Sequence, residues 1–360
     1  MIRSHRRTPT GPHAALFSVV ATIAMLALVA GCQRAPQVEA HRFEGPIFGT
    51  GFHVTVYAAL DEATLESLDA GIRNQLEHVD ALMSTYREDS ELSRFNRYPV
   101  GVPFFLSPAT AEVVREALRI ARLSDDAFDV TVGPAVNLWG FGPEGRPEQV
   151  PGPDELAAAL ARVDIHALVL DGDTLTKRKP VYVDLSGIAK GYGTDRVADY
   201  LEERGIEDYL VEVGGEIRTQ GSKPDDEPWR IAVEKPVSSE RSVQRIIDLD
   251  SAAVATSGDY RNYFESDGVR YSHTIDPRTG RPITNQVASV TVIAERCATA
   301  DALATAFTVM GERAGLELAE RESIAAYFIV RSGDGFETRM SSTFAPYLEG
   351  AETVGEEKGS

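Results

Sequence analysis

Apolar side chains return every three or four positions from Leu65 through Leu68, Ile72, Leu76 and Val79 to Leu82. This spacing predicts one amphipathic helix over Glu62–Met83. A second helix starts at Ser107-Pro108, a cap followed by proline, and continues through Val113, Val114, Ala117, Leu118 and Ala121. Asp154–Val163 predicts a third, after the Pro/Gly-rich stretch Gly142–Pro153. Ahead of them, Phe52–Ala58 alternates in the manner of a strand. From Leu168 the pattern shortens into β-rich runs at Leu168–Leu170, Val181–Asp184, Tyr209–Val213, Trp229–Val233, Arg245–Leu249, Tyr271–Ile275 and Val287–Ile293. Helices are predicted over Ile188–Arg204, Thr299–Met310 and Glu312–Glu320, and a final strand over Ile324–Val330. Strands and helices interleave without a regular βαβ alternation or an internal repeat, which predicts an α+β fold.

The N-terminus has another texture. Arg3, Arg6 and Arg7 precede an apolar run from Ala14 to Ala30, the layout of a secretory signal. That run is shorter than the roughly 20 apolar residues a membrane-spanning helix needs. It ends Val29-Ala30-Gly31-Cys32, which resembles the lipobox of bacterial lipoproteins. The resemblance implies cleavage after residue 31, a lipid on Cys32, and a chain held on the periplasmic side, at the inner membrane. Residues 32–45 are then expected to be a polar tether, 46–345 the working domain, and 346–360 a frayed acidic tail.

Composition narrows the function. Apolar residues at 43% and charged residues at 25% are those of a globular protein. A formal net charge of −19, more negative still without the three signal arginines, argues against a nucleic-acid partner. A phosphate-bearing ligand therefore needs local compensation from a cation or from backbone N–H groups. Besides Cys32 the only cysteine is Cys297, read as a small buried hydrophobe, and no Cys/His cluster has zinc spacing.

The common nucleotide and nucleophile motifs are missing. Ser186–Gly191 lacks the order of a P-loop, no Gly-x-Gly-x-x-Gly follows a strand, Ser186 and Lys190 are one residue too far apart for Ser-x-x-Lys, and there is no Gly-x-Ser-x-Gly. What remains is a series of polar words. They are Phe48-Gly49-Thr50, Met83-Ser84-Thr85-Tyr86, Ala127-Phe128-Asp129 through Pro134, and Leu138-Trp139-Gly140-Phe141-Gly142. Further along come Asp184-Leu185-Ser186-Gly187-Ile188-Ala189-Lys190-Gly191-Tyr192, Val213-Gly214-Gly215-Glu216-Ile217, Thr256–Tyr260, Ser272-His273-Thr274-Ile275-Asp276-Pro277 through Pro282, and Thr299–Thr305.

From about Phe48 to Met340 these words resemble the ApbE family of FAD:protein FMN transferases. The resemblance implies a T-fold-like α+β architecture and a Mg²⁺-dependent enzyme that splits FAD. Its FMN half would go, through a phosphoester, to a Ser or Thr of a target protein, and AMP would be released. The implied acceptors lie on membrane redox complexes of the Rnf and sodium-pumping quinone-reductase kinds. Two other readings use the same site: an FAD pyrophosphatase, with water as acceptor, and a flavin-binding lipoprotein without chemistry.

The resemblance also assigns residues. Asp301 and Thr305, four apart on one helix face, become metal ligands together with the carbonyl of Gly187. By spacing alone an exposed acid in a helix's first turn is the better reading of Asp301, and the resemblance reverses that order. Where some relatives carry a further carboxylate, this chain has Ala304. Flavin contacts fall on Phe48, Tyr86, Ala127, Phe128, Asp129, Asp184, Lys190 and Ile275, with Lys190 offsetting phosphate charge. His273 is the candidate base for the acceptor hydroxyl. Asp276 either orients it or simply closes the turn.

Overall fold

The structure, a computed structural model, describes residues 38–143, 150–236, 243–258, 263–266, 269–333 and 335–348. Its backbone is an eight-stranded sheet whose strands lie side by side in chain order. These are β1 (Glu39–Ile47), β2 (Thr50–Ala58), β3 (Tyr209–Val213), β4 (Glu216–Gln220), β5 (Ala253–Gly258), β6 (Val287–Ala294), β7 (Ala325–Ser332) and β8 (Gly335–Met340). Every neighbouring pair is antiparallel. The sheet is pinched in its middle. β4 and β5 share only the pairs Ala253↔Arg218 and Val254↔Ile217, whereas β5 and β6 share six pairs. The α+β expectation holds.

Eight helices complete the described residues: α1 (Glu62–Met83), α2 (Glu91–Arg97), α3 (Pro108–Leu123), α4 (Gly133–Leu138), α5 (Pro153–Leu160), α6 (Ala189–Glu203), α7 (Cys297–Met310) and α8 (Glu312–Arg321). α1 keeps its expected bounds, because Asp61 accepts from Thr64 N–H at its start and Leu68, Ile72, Leu76, Val79 and Met83 form its buried stripe. Each such side chain contributes about 1.5–3 kcal/mol relative to exposure. α1 and α6 cover the β1–β4 half of the sheet through Phe52, Val54, Val56, Val197 and Val211. α7 covers the β5–β6 half and is buried on almost every side. Its alanines at 298, 300, 302, 304 and 306 permit that close packing. Cys297, at its first residue, is fully buried as read, and burial raises its thiol pKa. The hairpin Trp229–Glu234/Val243–Leu249 covers the opposite face.

Several boundaries differ from expectation. The segment read as a tether already forms β1 from Glu39, an edge strand hard to recognise because only Phe43 is buried along it. Val181–Asp184 is extended but joins no ladder. The Asn96 side-chain amide pairs instead with both the N–H and the carbonyl of Val183, at 2.7 and 2.8 Å, and Asp184 N–H donates to Val130 O. Tyr271–Ile275 is not one strand, since Val269–Ser272 ends where Ser272 Oγ accepts from Thr274 N–H, and Ile275–Asp276 pairs separately with Arg281–Pro282. Ordered structure continues past 345 into a 3₁₀ turn at Ala345–Leu348. The signal, Cys32, Asp259, Tyr260 and the end after Leu348 lie outside the described residues, among which no helix is long and apolar enough to cross a membrane.

Candidate active site

α6 and α7 pack against each other, and charged residues collect along their seam. Gly214 and Gly215, both in the left-handed region at φ 61° and 102°, turn β3 into β4 and deliver Glu216. Lys190, in the first turn of α6, donates to Glu216 Oε1 at 2.6 Å, with Asp301 Oδ2 of α7 3.7 Å away. Asp301 Oδ2 also accepts from Gly191 N–H at 3.1 Å. Only glycine fits there, because a Cβ on Gly191 would lie 2.4 Å from the Cys297 carbonyl oxygen. Burial disfavours the Lys190 charge, but the Asp301 and Glu216 carboxylates outweigh it and raise the ammonium above its ordinary range. Burial, reinforced by the Asp301 charge and opposed by Lys190, raises Glu216.

Asp301 is 5% exposed and lies in the second turn of α7, which begins at Cys297. The reading as an exposed first-turn acid is therefore overturned. Thr305 is one turn further on, its Oγ1 3.6 Å from where a Cβ of Gly187 would sit, with the Phe128 ring 3.2 Å from the same point. Gly187 and Thr305 are thus neighbours, as the metal assignment requires. No group of three His, Cys, Asp or Glu side chains suited to a metal occurs among the described residues. One carboxylate, a hydroxyl and a carbonyl nonetheless suit Mg²⁺, which commonly takes few protein ligands beside substrate phosphates. Glu216 Oε2 is buried without a hydrogen-bond partner, an unspent acceptor in the same cluster. The donor set fits a hard cation.

A second line of contacts fixes the seam. Residues 191, 195 and 199 recur on one face of α6. Arg296 provides no side-chain cap for α7, and Asp195 reaches across from α6 instead. Asp195, fully buried, accepts from Cys297 N–H at 2.9 Å and Ala298 N–H at 3.0 Å. It also faces Arg218 at 3.2 Å and Arg296 at 3.4 Å, and Asp199 holds both arginines. Sequence reasoning missed Asp195 and Glu216. The Gly191/Asp195/Asp199 spacing and the acid after Gly-Gly were the available signals.

The remaining candidates divide. Asp184 Oδ1 accepts from Ser186 N–H and Oγ–H at 2.9 and 2.5 Å, tightening the turn into Gly187. Tyr86 is 67% exposed, and partial burial with the Asp184 charge raises its phenol pKa. Phe48, at φ 50°, packs against both helical cores, its ring 2.9 Å from where a Cβ of Gly193 would sit. Ala127 is buried, as is Asp129, whose carboxylate is already engaged. Asp129 Oδ1 accepts from Thr131 N–H and Oγ–H, each at 2.6 Å, and Oδ2 from Ile165 N–H at 3.2 Å.

Ile275 is buried against Trp139, whose indole N–H donates to Gly280 O at 2.8 Å, so two separate words meet. His273 lies just before it, edge-on to Phe141 at 6.2 Å. Asp276 accepts from Arg278 through both oxygens, which is the turn-closing role.

The family model described as the ApbE family matches residues 48–328. The FAD:protein FMN transferase of Vibrio cholerae is 53% identical over 327 residues, spanning 91% of this chain and 97% of the relative. That of Haemophilus influenzae is 46% identical, spanning 93% and 98%. Among solved structures, the flavin transferase ApbE from Vibrio cholerae superposes with a TM-score of 0.81 at 51% identity, covering 86% of this chain and all of that one. The apo flavinyl transferase ApbE of Pseudomonas stutzeri gives 0.80 at 42%, covering 88% and 99%. This chain belongs to the ApbE family.

Proposed function

We propose that this chain cleaves FAD and joins the FMN half to a protein acceptor, the activity for which its relatives are named. The observation that carries the reading is the cluster of buried Glu216 and Asp301 with half-buried Lys190, beside Gly187 and Thr305. In a chain of net charge −19, this is where a cation can be held and a pyrophosphate met.

In this reading the acceptor is a Ser or Thr hydroxyl. Its oxygen forms a bond to the FMN phosphorus, the bond from that phosphorus to the bridging oxygen breaks, and AMP leaves with that oxygen. The hydroxyl proton passes to an imidazole nitrogen of His273. Lys190 offsets phosphate charge, while Phe48, Tyr86 and Phe128 offer aromatic surface to the flavin. Asp301, Thr305 and the Gly187 carbonyl would hold Mg²⁺, which supplies charge stabilisation for the pyrophosphate. A lipid on Cys32 would keep the enzyme on the periplasmic face of the inner membrane, near acceptors on redox complexes of the Rnf or sodium-pumping quinone-reductase kind.

The test is mass spectrometry of such a redox-subunit domain after incubation with FAD, Mg²⁺ and this chain. A gain of one FMN on Ser or Thr, matched by AMP release, is expected. AMP release with no gain in mass identifies a pyrophosphatase, and FAD binding without AMP release a flavin-binding protein. His273→Ala should bind FAD normally by fluorescence yet lose transfer. Near-wild-type transfer would remove His273 from the role of base.

A further inference from the structure

Seven large apolar side chains are exposed among the described residues, and five of them lie between Tyr86 and Phe105. That clustering marks a surface and not scattered exposure. Tyr98 to Leu106 carries no charge, and Tyr98, Val100, Val102 and Phe105 stand out from it, Phe105 at 81% exposure. The strap is held rigidly. Gly101 N–H donates to Lys177 O at 2.8 Å, and Phe104–Phe105 pairs with Thr174–Leu175 as the edge of a small three-stranded sheet. Alternation along that strand turns Phe104 inward against Phe95 and Tyr98 and leaves Phe105 facing outward.

Two observations identify the occupant. The strap is continuous with the candidate active site, since Asn96, two residues before Tyr98, clamps Val183, the neighbour of Asp184. Its border holds both signs: Asp171 and Asp173 lie in the turn that pairs with it, while Arg94, Arg97 and Arg178 are exposed and have no acidic side-chain partner among the described residues, Arg97 donating only to the Glu88 carbonyl. A highly anionic chain thus offers an uncharged apolar edge, with three arginines that lack acidic partners at its border, on the segment that continues from the Asp184 side of the candidate active site. We propose that Tyr98–Phe105 is where the acceptor protein docks, through an extended apolar segment bordered by carboxylates near the residue that receives FMN. The inference rests on the transferase reading, and it assigns the binding of the protein substrate to a surface that FAD does not need.

The experiment uses an acceptor domain shown by mass to receive FMN from the wild-type chain. Phe105→Ser combined with Val102→Ser, and separately Arg178→Glu, should each raise KM for that domain on the order of tenfold. The turnover number and KM for FAD should stay within about twofold, and melting should be unchanged, as expected for exposed positions. An unchanged acceptor KM overturns the proposal. Variants that keep that KM but lose adhesion to anionic phospholipid vesicles identify the strap as a lipid contact instead. Wild-type chain that transfers no FMN to any acceptor domain overturns the functional reading and the docking surface with it. Transfer that is insensitive to the strap removes the docking surface alone.

Discussion

Two buried carboxylates, alike in type and in exposure, sit in regions that use them differently. Asp129, at 8% exposure, lies in the loop before α4, and both its oxygens accept bonds from Thr131 and Ile165. Asp301, at 5%, lies on the α6–α7 seam, takes one backbone bond from Gly191, and faces a lysine that is already paired to a second acid. The first region is internally satisfied. The second keeps unspent acceptor capacity, including the unpartnered Oε2 of Glu216. Burial of an acid therefore does not mark chemistry, whereas unused lone pairs do.

The largest effect is expected where the seam is fixed. Asp195→Ala removes the carboxylate that caps α7 and leaves Arg218 and Arg296 with only their outer partners. It should cost about 3–5 kcal/mol in urea unfolding, the range for breaking a buried ion pair. A loss under about 1 kcal/mol would mean that the seam is not held from Asp195. Next comes Asp301→Asn, which keeps an acceptor for Gly191 N–H but removes the charge. AMP release should fall on the order of 10²-fold or more, with partial rescue by added Mg²⁺. Thr305→Val should cost less. An unchanged rate and Mg²⁺ dependence in Asp301→Asn would dissolve the contrast between the two acids.

Asp129→Asn gives the smallest change and sharpens the comparison from the other side. An amide N–H₂ meeting Ile165 N–H should cost about 1–3 kcal/mol of stability, with FAD affinity little altered. Loss of FAD binding at full stability would show that Asp129 serves the flavin. Its pH dependence has a definite sign. Burial raises the Asp129 pKa above 3.8, against the opposing bonds from Thr131 and Ile165. A raised acid contributes stability that is fully present below 3.8 and lost as pH rises through the native value. The variant cannot titrate there, so the wild-type advantage should shrink on going from acid toward neutral pH.

Long periodic elements were legible, as α1 and the Ser107-Pro108 start of α3 illustrate, because one amphipathic stripe and one cap define each of them. The seven-residue α2 was not. Its Ser90 cap is local, but so short a helix shows no periodic stripe, and its buried Glu91 is explained only by partners brought together in space, accepting from Ser107 and Thr110. Val181–Asp184 misled for the same reason, since a side-chain amide replaces the ladder that its apolar pattern suggests. In the site, spacing joined to family resemblance singled out Asp301 and Thr305, and the structure places Thr305 beside Gly187. Glu216 and Asp195 were not, because their importance lies in which helix or strand they meet.

The pinched sheet has a consequence for quality control of the chemistry. Lys190 and Glu216 belong to the half built on β1–β4, and Asp301 and Thr305 to the half built on β5–β8, while only two ladder pairs of the sheet join the halves. A chain with either half unfolded has lost its lysine–glutamate pair or its aspartate–threonine pair, and with it the whole cluster. Completeness of folding is thereby tied to completeness of the cluster. The weakest line in the sheet acts as an interlock, closed only when both sides have formed.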